Sequence, residues 1–372
     1  MRAAVLEAHG EPLAVREVDE PELTPDSVVV ETAACGVCRS DWHAWQGHGE
    51  WVDDRVPTGQ VLGHEPAGTV VEVGGEVESL SAGDRVVVPF NLADGTCPAC
   101  RRGRTNYCEG ATALGFGPDA PGAFAERFRV PDADVNAVPL PESVSSVAAA
   151  SLGCRFVTAF QGLDAVANVG GGDVVVIVGC GGVGLSAVQV ATALGGSVVA
   201  VDVREAPLTV AADQGARWTI DASDVADVPA RVRDLVSDSV GDTTDTGGAG
   251  DGTDTAGADV SMDALGRTET CRNAVGSLAT GGTHVQVGLT GADDRGEIPL
   301  PMDTVVQKGV TVAGSRGMPP ARYDELFRLV ESGQVDPEAL VTERIALADV
   351  PDRLAAMSEF DTVGIEVVTE FA

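Results

Sequence analysis

The chain has 372 residues, 44% hydrophobic and 22% charged, which is ordinary for a globular protein and long enough for two hydrophobic cores. Its formal net charge is −33, and Lys308 is its single lysine. A surface of that sign repels nucleic acid and anionic membranes, and no apolar run reaches the roughly 18 residues of a membrane span.

The same charge predicts self-repulsion in dilute salt. Dense counterions relieve it, because the Debye length shrinks to about 3 Å at 1 M salt, so a salt-adapted protein from a halophile is expected. The N-terminus carries Glu7 and no long apolar stretch after it, so no signal peptide is expected and the cytoplasm is the expected location. In such a chain the eight cysteines are expected as metal ligands or buried thiols rather than as disulfides.

In chain order, residues 1–155 are rich in Val, Gly, Pro and Asp. Strand-like runs at 27–31, 68–73 and 85–89, separated by Gly74-Gly75 and Gly83-Asp84, predict a small, irregular β-rich domain. Two clusters within it carry metal-ligand chemistry: Cys35-Gly36-Val37-Cys38-Arg39-Ser40-Asp41-Trp42-His43 and Gly63-His64-Glu65-Pro66-Ala67-Gly68. A third stretch, Leu152-Gly153-Cys154-Arg155, adds a thiol. Thiolate, imidazole and carboxylate are the ligands zinc prefers, and three protein ligands with one open position define a catalytic rather than a structural site.

Near residue 172 the pattern changes. Residues 173–178 form a nearly continuous apolar run, as in a strand buried on both faces, and a helix-length segment follows at 182–194. Strands at 197–201, 218–220, 259–263 and 284–287 alternate with helices at 208–214, 226–236 and 268–279. This alternation predicts an α/β, doubly wound parallel sheet of Rossmann type. Between 237 and 258 the chain is mostly Gly, Thr and Asp, too poor in large apolar side chains to offset its ordering entropy, and is expected as an exposed acidic insertion. A strand at 310–313, a helix at 321–332 and a strand-like tail at 364–369 complete the chain, the tail returning to the first domain.

Gly179-Cys180-Gly181-Gly182-Val183-Gly184 fits G-x-G-x-x-G between the buried strand and the helix. Gly179 permits the tight turn, Gly181 close approach of a pyrophosphate, and Gly184 close packing of helix on strand, while the helix N-terminus offers unpaired N–H groups. Asp202 closes the next strand, where a carboxylate accepts hydrogen bonds from a ribose and repels a 2′-phosphate, favouring NAD over NADP. Arg204 nearby is a cation that can help to hold such a phosphate.

Together these segments resemble the medium-chain dehydrogenase/reductase superfamily, specifically its zinc-dependent alcohol dehydrogenases, and the likeness covers essentially the whole chain. The resemblance implies a GroES-like β-rich catalytic domain over 1–155, completed by 310–372, and a Rossmann NAD-binding domain over 156–309. It implies that Cys38, His64 and Cys154 hold a catalytic zinc, with Glu65 beside it as an alternate ligand. Asp41 would orient His64, Ser40 would pass on the alcohol proton, His43 would relay it to solvent, and Arg39 would pair with the cofactor pyrophosphate. Cys97, Cys100 and Cys108 fall on three places of the family's structural zinc, and Asp94 stands on the fourth, where the family has cysteine. A second departure is Ile365, where many relatives place an arginine. The expected reaction is reversible hydride transfer between a small alcohol and NAD, in a dimer or tetramer joined near 285–288. Trp42, Trp45 and Phe156 are expected to line a partly apolar pocket, shaped by loops 45–56 and 115–122. A polyol, sugar or amino-alcohol dehydrogenase and a catalytically silent NAD-binding protein are the alternatives.

Overall fold

The computed structural model describes residues 1–48, 56–240, 256–291 and 293–372. The chain forms two compact units, Met1–Val157 with Gly317–Ala372, and Thr158–Arg316. No helix among the described residues is long and apolar enough to cross a membrane.

The first unit is organised on a strand, β1 (Val28–Val37), that continues into helix α1 (Arg39–Gln46). β1 pairs antiparallel with β2 (Glu65–Val73) along its length. Its first half also pairs with Arg127–Val130 and its last residues with the C-terminal strand Ile365–Glu370. Val28, Val30, Cys35 and Val37 of β1 enter one core with Leu62, Val70, Phe124 and Phe128. β1 runs six residues past its predicted end. The extension Thr32-Ala33-Ala34-Cys35-Gly36-Val37 has lost the alternation of a half-buried strand, because its last four residues are all buried.

The second unit is a six-stranded, wholly parallel sheet. Its strands are β3 (Val174–Val178), β4 (Ser197–Asp202), β5 (Trp218–Asp221), β6 (Ala258–Asp263), β7 (Leu278–Gln286) and β8 (Thr311–Gly314). The spatial order is β5-β4-β3-β6-β7-β8, so the direction of winding reverses at β3. That reversal creates the crevice where open α/β sheets bind ligands, beyond the carboxyl end of the strand. Val176 and Val178 of β3 pack with Val199, Val201, Ile220, Val232 and Ala274. Helix α2 (Gly182–Ala193) follows β3, α3 (Val228–Val240) precedes β6, α4 (Thr268–Gly276) lies between β6 and β7, and α5 (Met302–Lys308) precedes β8.

Three expectations change. The strand near 310 belongs to the second unit: Thr311–Gly314 hydrogen-bonds to β7 and forms the sheet edge, so the first unit resumes only at Gly317. Val285 is therefore internal, flanked by Met262 and Ala313, and β8 rather than 285–288 is the edge. β7 starts at Leu278 rather than at 284, because the helix expected over 268–279 ends at Gly276 and Gly281 and Gly282 are absorbed into the strand, beside a bulge at Ala258/Val260. Of the acidic segment 237–258, the first residues complete α3 and the last opens β6, while 241–255 lie outside the described residues, as do 49–55 of the loop 45–56.

Candidate active site and metal centres

The register of β1 on β2 builds the first centre. Gly36 sits opposite Glu65, so Cys38, just beyond the end of β1, lies beside His64, just before the start of β2. Helix Ser146–Ser151 packs on both strands and delivers Cys154 in the wide turn Leu152–Phe156 that follows it. Gly153 bends that turn, with φ −19° and ψ −122°. One donor atom each from Cys38, His64, Glu65 and Cys154 lies within 4.8 Å of the others.

Asp41 fixes two of these donors. Its Oδ1 meets His64 Nδ1 at 2.8 Å and accepts the Gly63 N–H at 3.1 Å, while Oδ2 accepts the Cys38 N–H at 3.0 Å. Both side chains of the Asp41–His64 pair are fully buried. With Nδ1 committed, Nε2 is left bare, and it is a buried nitrogen without a hydrogen-bond partner. A buried imidazole nitrogen left unpaired costs free energy unless something binds it. Two sulfurs and this nitrogen form the donor set of a catalytic zinc, and the residues fit that ion. Burial disfavours an imidazolium at His64, yet the Asp41 and Cys38 charges outweigh it and raise the ring's pKa. The contact with Cys154 holds the Cys38 thiol well below the usual range, and the same contact, with burial, raises Cys154.

Glu65 is not free to turn. Arg155 pairs with Glu65 Oε2, and its Nε donates to Oε1 at 3.1 Å, while the Cys154 N–H donates to the same Oε1 at 2.9 Å. Burial lifts the Glu65 pKa to about 7 against the opposing pull of Arg155. Arg155 was legible only as the last letter of the Leu-Gly-Cys-Arg run and carried no expected role. A buried arginine is almost always paired, and the nearby Glu65 was the signal available.

The remaining residues of this centre lie on or beside α1. Ser40 Oγ is 3.8 Å from Cys38 Sγ. His43 Nδ1 is 3.2 Å from His48 Nδ1, and burial, with Arg39 and His48, lowers the His43 pKa to about 4. Arg39 donates to the Met357 carbonyl at 2.6 Å and lies over the Trp42 and Phe360 rings. The pocket residues differ from expectation. Trp45 and Phe156 are buried core, and Trp45 Nε1 and Trp42 Nε1 are held by the Glu11 carbonyl and Ser358 Oγ. The rings against the His64 imidazole are instead Phe116, at 4.8 Å, and Phe90, edge-on at 6.2 Å.

The second centre is local. Asp94, Cys97, Cys100 and Cys108 each offer a donor within 4.8 Å of the others. Asp94 Oδ1 accepts the N–H groups of Thr96 at 2.7 Å and Cys97 at 3.1 Å and faces Cys100 Sγ at 3.6 Å. Those backbone donors hold the Asp94 carboxyl down at about 2. Cys97 and Cys108 accept backbone N–H groups of Cys100 and Asp94, each at 3.5 Å, and the Cys97 and Cys100 sulfurs are 3.5 Å apart. Gly110 makes room for the carboxylate, since a Cβ there would come within 2.6 Å of Asp94 Oδ2. Three thiols and a carboxylate converging in this way fit a structural zinc.

In the second unit the glycine turn leaves β3 and opens α2. Gly179 has φ +90°, a conformation that other residues rarely adopt, and a Cβ on Gly184 would overlap the Gly179 carbonyl. A Cβ on Gly181 would meet nothing within 4 Å, so the backbone there is open to a ligand. Asp202 accepts the Cys180 N–H at 2.8 Å through Oδ2 and the N–H groups of Val203 and Arg204 through Oδ1, so it also anchors this turn. His284, fully buried in β7, hydrogen-bonds Ser261 and Gln286 and is structural.

Comparison with known proteins gives the family. The family model "Alcohol dehydrogenase GroES-like domain" matches residues 24–142, and "Zinc-binding dehydrogenase" matches residues 182–332. An alcohol dehydrogenase of Geobacillus stearothermophilus is 33% identical over 358 residues, covering 95% of this chain and 96% of that protein. The NAD-dependent alcohol dehydrogenase of Saccharolobus solfataricus is 31% identical over 376 residues, covering 99% of both. Among solved structures, alcohol dehydrogenase TADH from Thermus sp. ATN1 superposes with a TM-score of 0.86 at 32% identity, covering 100% of both chains. The chain belongs to the zinc-dependent alcohol dehydrogenase family of the medium-chain dehydrogenase/reductase superfamily.

Proposed function

We propose that the chain reversibly oxidises small, largely apolar alcohols to aldehydes or ketones with NAD, at a zinc held by Cys38, His64 and Cys154. The observation that carries this reading is the bare, buried Nε2 of His64 set among two cysteine sulfurs. When bound, zinc supplies Lewis acidity to the alcohol oxygen, and the nicotinamide takes up the hydride. The side chains do the rest. Asp41 holds the His64 tautomer, and its contact with the Cys38 N–H keeps ring and thiolate in one frame. Ser40, beside Cys38 in the first turn of α1, receives the alcohol proton, and neutral His43 passes it to solvent. Phe90 and Phe116 against the imidazole exclude water and favour an apolar substrate over a polyol, sugar or amino alcohol.

Asp94, Cys97, Cys100 and Cys108 hold a second, structural zinc. Gly179, Gly181, Gly182, Val183 and Gly184 cradle the cofactor pyrophosphate at the start of α2, and the Asp202 carboxylate disfavours the 2′-phosphate of NADP. The edge strand β8 carries exposed Val312, and α5 before it exposes Met302 and Val306. A second copy of the chain covers this edge and gives a homo-oligomer. The −33 charge fits a halophilic, cytoplasmic enzyme.

One assay tests the reading: NADH absorbance across a panel of alcohols, with NAD and NADP, from dilute to molar KCl. Turnover with NAD, lost when metal is stripped and restored by zinc, is the expected result. Full turnover in the stripped protein would sink the zinc reading, and a preference for NADP would sink the role given to Asp202.

A further inference from the structure

The Glu65–Arg155 pair is built from three separate segments. The side chains are 0% and 4% exposed, so neither charge has solvent to fall back on. Space for them is made by glycine. A Cβ on Gly36 would overlap Glu65 Oε2 and stand 2.7 Å from Arg155 Nη2, and a Cβ on Gly153 would stand 2.6 Å from Glu65 Cβ. Gly36 lies in β1 directly opposite Glu65 in β2, and Gly153 precedes the ligand Cys154 in the wide turn.

A carboxylate buried this deeply needs a cation. Two are within its reach. One is the Arg155 guanidinium, which engages both oxygens, with the Cys154 N–H completing Oε1. The other is the metal to be held by Cys38, His64 and Cys154, whose donor atoms lie within 4.8 Å of a Glu65 oxygen. If Glu65 turned to the metal, the ligand set would close to two sulfurs, one nitrogen and one oxygen, the four-coordinate arrangement of a structural site with no position left for substrate.

We propose that Arg155 is a positioning residue that holds Glu65 off the catalytic metal and so keeps the fourth coordination position for the alcohol. The proposal rests on the zinc reading of the same site. Arg155 is suited to the task because its rigid planar fork matches both carboxylate oxygens at once, whereas a lysine ammonium is a point charge on a flexible stem that does not fix their orientation.

The test is release of zinc from the loaded full-length protein to a chromophoric chelator, a readout independent of turnover. Arg155→Gln leaves the carboxylate without its guanidinium, so zinc release is expected to slow on the order of tenfold as a fourth protein ligand engages, with kcat falling in parallel. Glu65→Gln combined with Arg155→Gln removes the competing ligand and is expected to return release to the parent rate. The visible absorption of the cobalt-substituted protein should change in Arg155→Gln and revert in the double variant. Arg155→Lys keeps the buried charge but frees one oxygen, so it should slow release in the same sense by less, and it carries the test if Arg155→Gln does not fold. Release at the parent rate or faster in both single variants would overturn the proposal, because a merely structural arginine loosens the site when removed. A parent chain that binds no zinc would remove the zinc reading and the proposal together.

Discussion

Cys38, His64 and Cys154 come from three distant segments and meet in a buried pocket, whereas Asp94, Cys97, Cys100 and Cys108 sit in one short loop nearer the surface. In the first centre the donors are aimed by buried polar side chains, Asp41 on His64 and Arg155 on Glu65. In the second, the sulfurs and the carboxylate are aimed by backbone N–H groups of the loop itself. A centre assembled by topology is sensitive to each supporting side chain and can leave a coordination position open. A centre assembled by a local loop closes on itself and serves the fold.

The largest effect expected from this contrast is on catalysis. His64→Ala or Cys154→Ala removes a donor from the open centre and should lower kcat/KM on the order of a thousandfold, about 4 kcal/mol of transition-state stabilisation. NAD binding, followed by fluorescence quenching, should persist, because the glycine turn and Asp202 lie in the other unit. A loss of ten-fold or less would mean that the buried donors are not the reacting centre.

Legibility in the sequence follows the same contrast. The glycine turn could be read because strand, turn, helix and acid are consecutive, and the structure keeps Gly179 at φ +90° and Gly181 open. The lobe of Asp94 could be read because Cys97, Cys100 and Cys108 fall on three places of the family's structural zinc, and the structure brings all four side chains together. The support of the buried centre could not. Arg155 carries no role in the sequence until Gly36 and Gly153 are seen to make room for the Glu65–Arg155 pair, and those glycines read only as members of the cysteine-containing runs. Trp45 and Phe156, close to ligands in sequence, fall into the core, while Phe116 reaches His64 from the loop 115–122 expected to shape the pocket and Phe90 from a loop with no local signal. Local patterns specify elements, but which loop side chain meets which strand end is decided by non-local register.

A smaller effect should separate the second centre from the first. Asp94→Ala or Cys100→Ser removes a donor from the closed loop, and metal analysis should fall from about two zinc ions per subunit to about one. The loss should appear as a thermal midpoint lower by several degrees, at roughly 2–4 °C per kcal/mol for a unit of this size. Turnover of the folded fraction should fall far less than in His64→Ala. About one zinc in the parent protein would show that Asp94 does not replace the missing thiol and that the loop is held by hydrogen bonds alone.

The smallest effect is on stability in mild acid, and it distinguishes the two centres by proton linkage. His43, on the helix that carries Ser40 and Asp41, is held near pKa 4 by burial, with Arg39 and His48 adding to the shift and Cys38 opposing it. An unfolded histidine titrates near 6.5, so below that pH the unfolded state binds the extra proton and folding loses free energy. The contribution of His43 is thus complete above about pH 6.5 and is lost progressively as pH falls toward 4, at up to about 1.4 kcal/mol per pH unit. In the other centre the Asp94 carboxyl stays ionised down to about 2, so its hydrogen bonds survive throughout that window. Denaturant unfolding of the parent and of His43→Asn between about pH 4.5 and pH 7 should therefore show a slope in the parent that the variant flattens. An identical slope in both proteins would place the acid sensitivity elsewhere and would mean that α1 does not hold His43 in its neutral form.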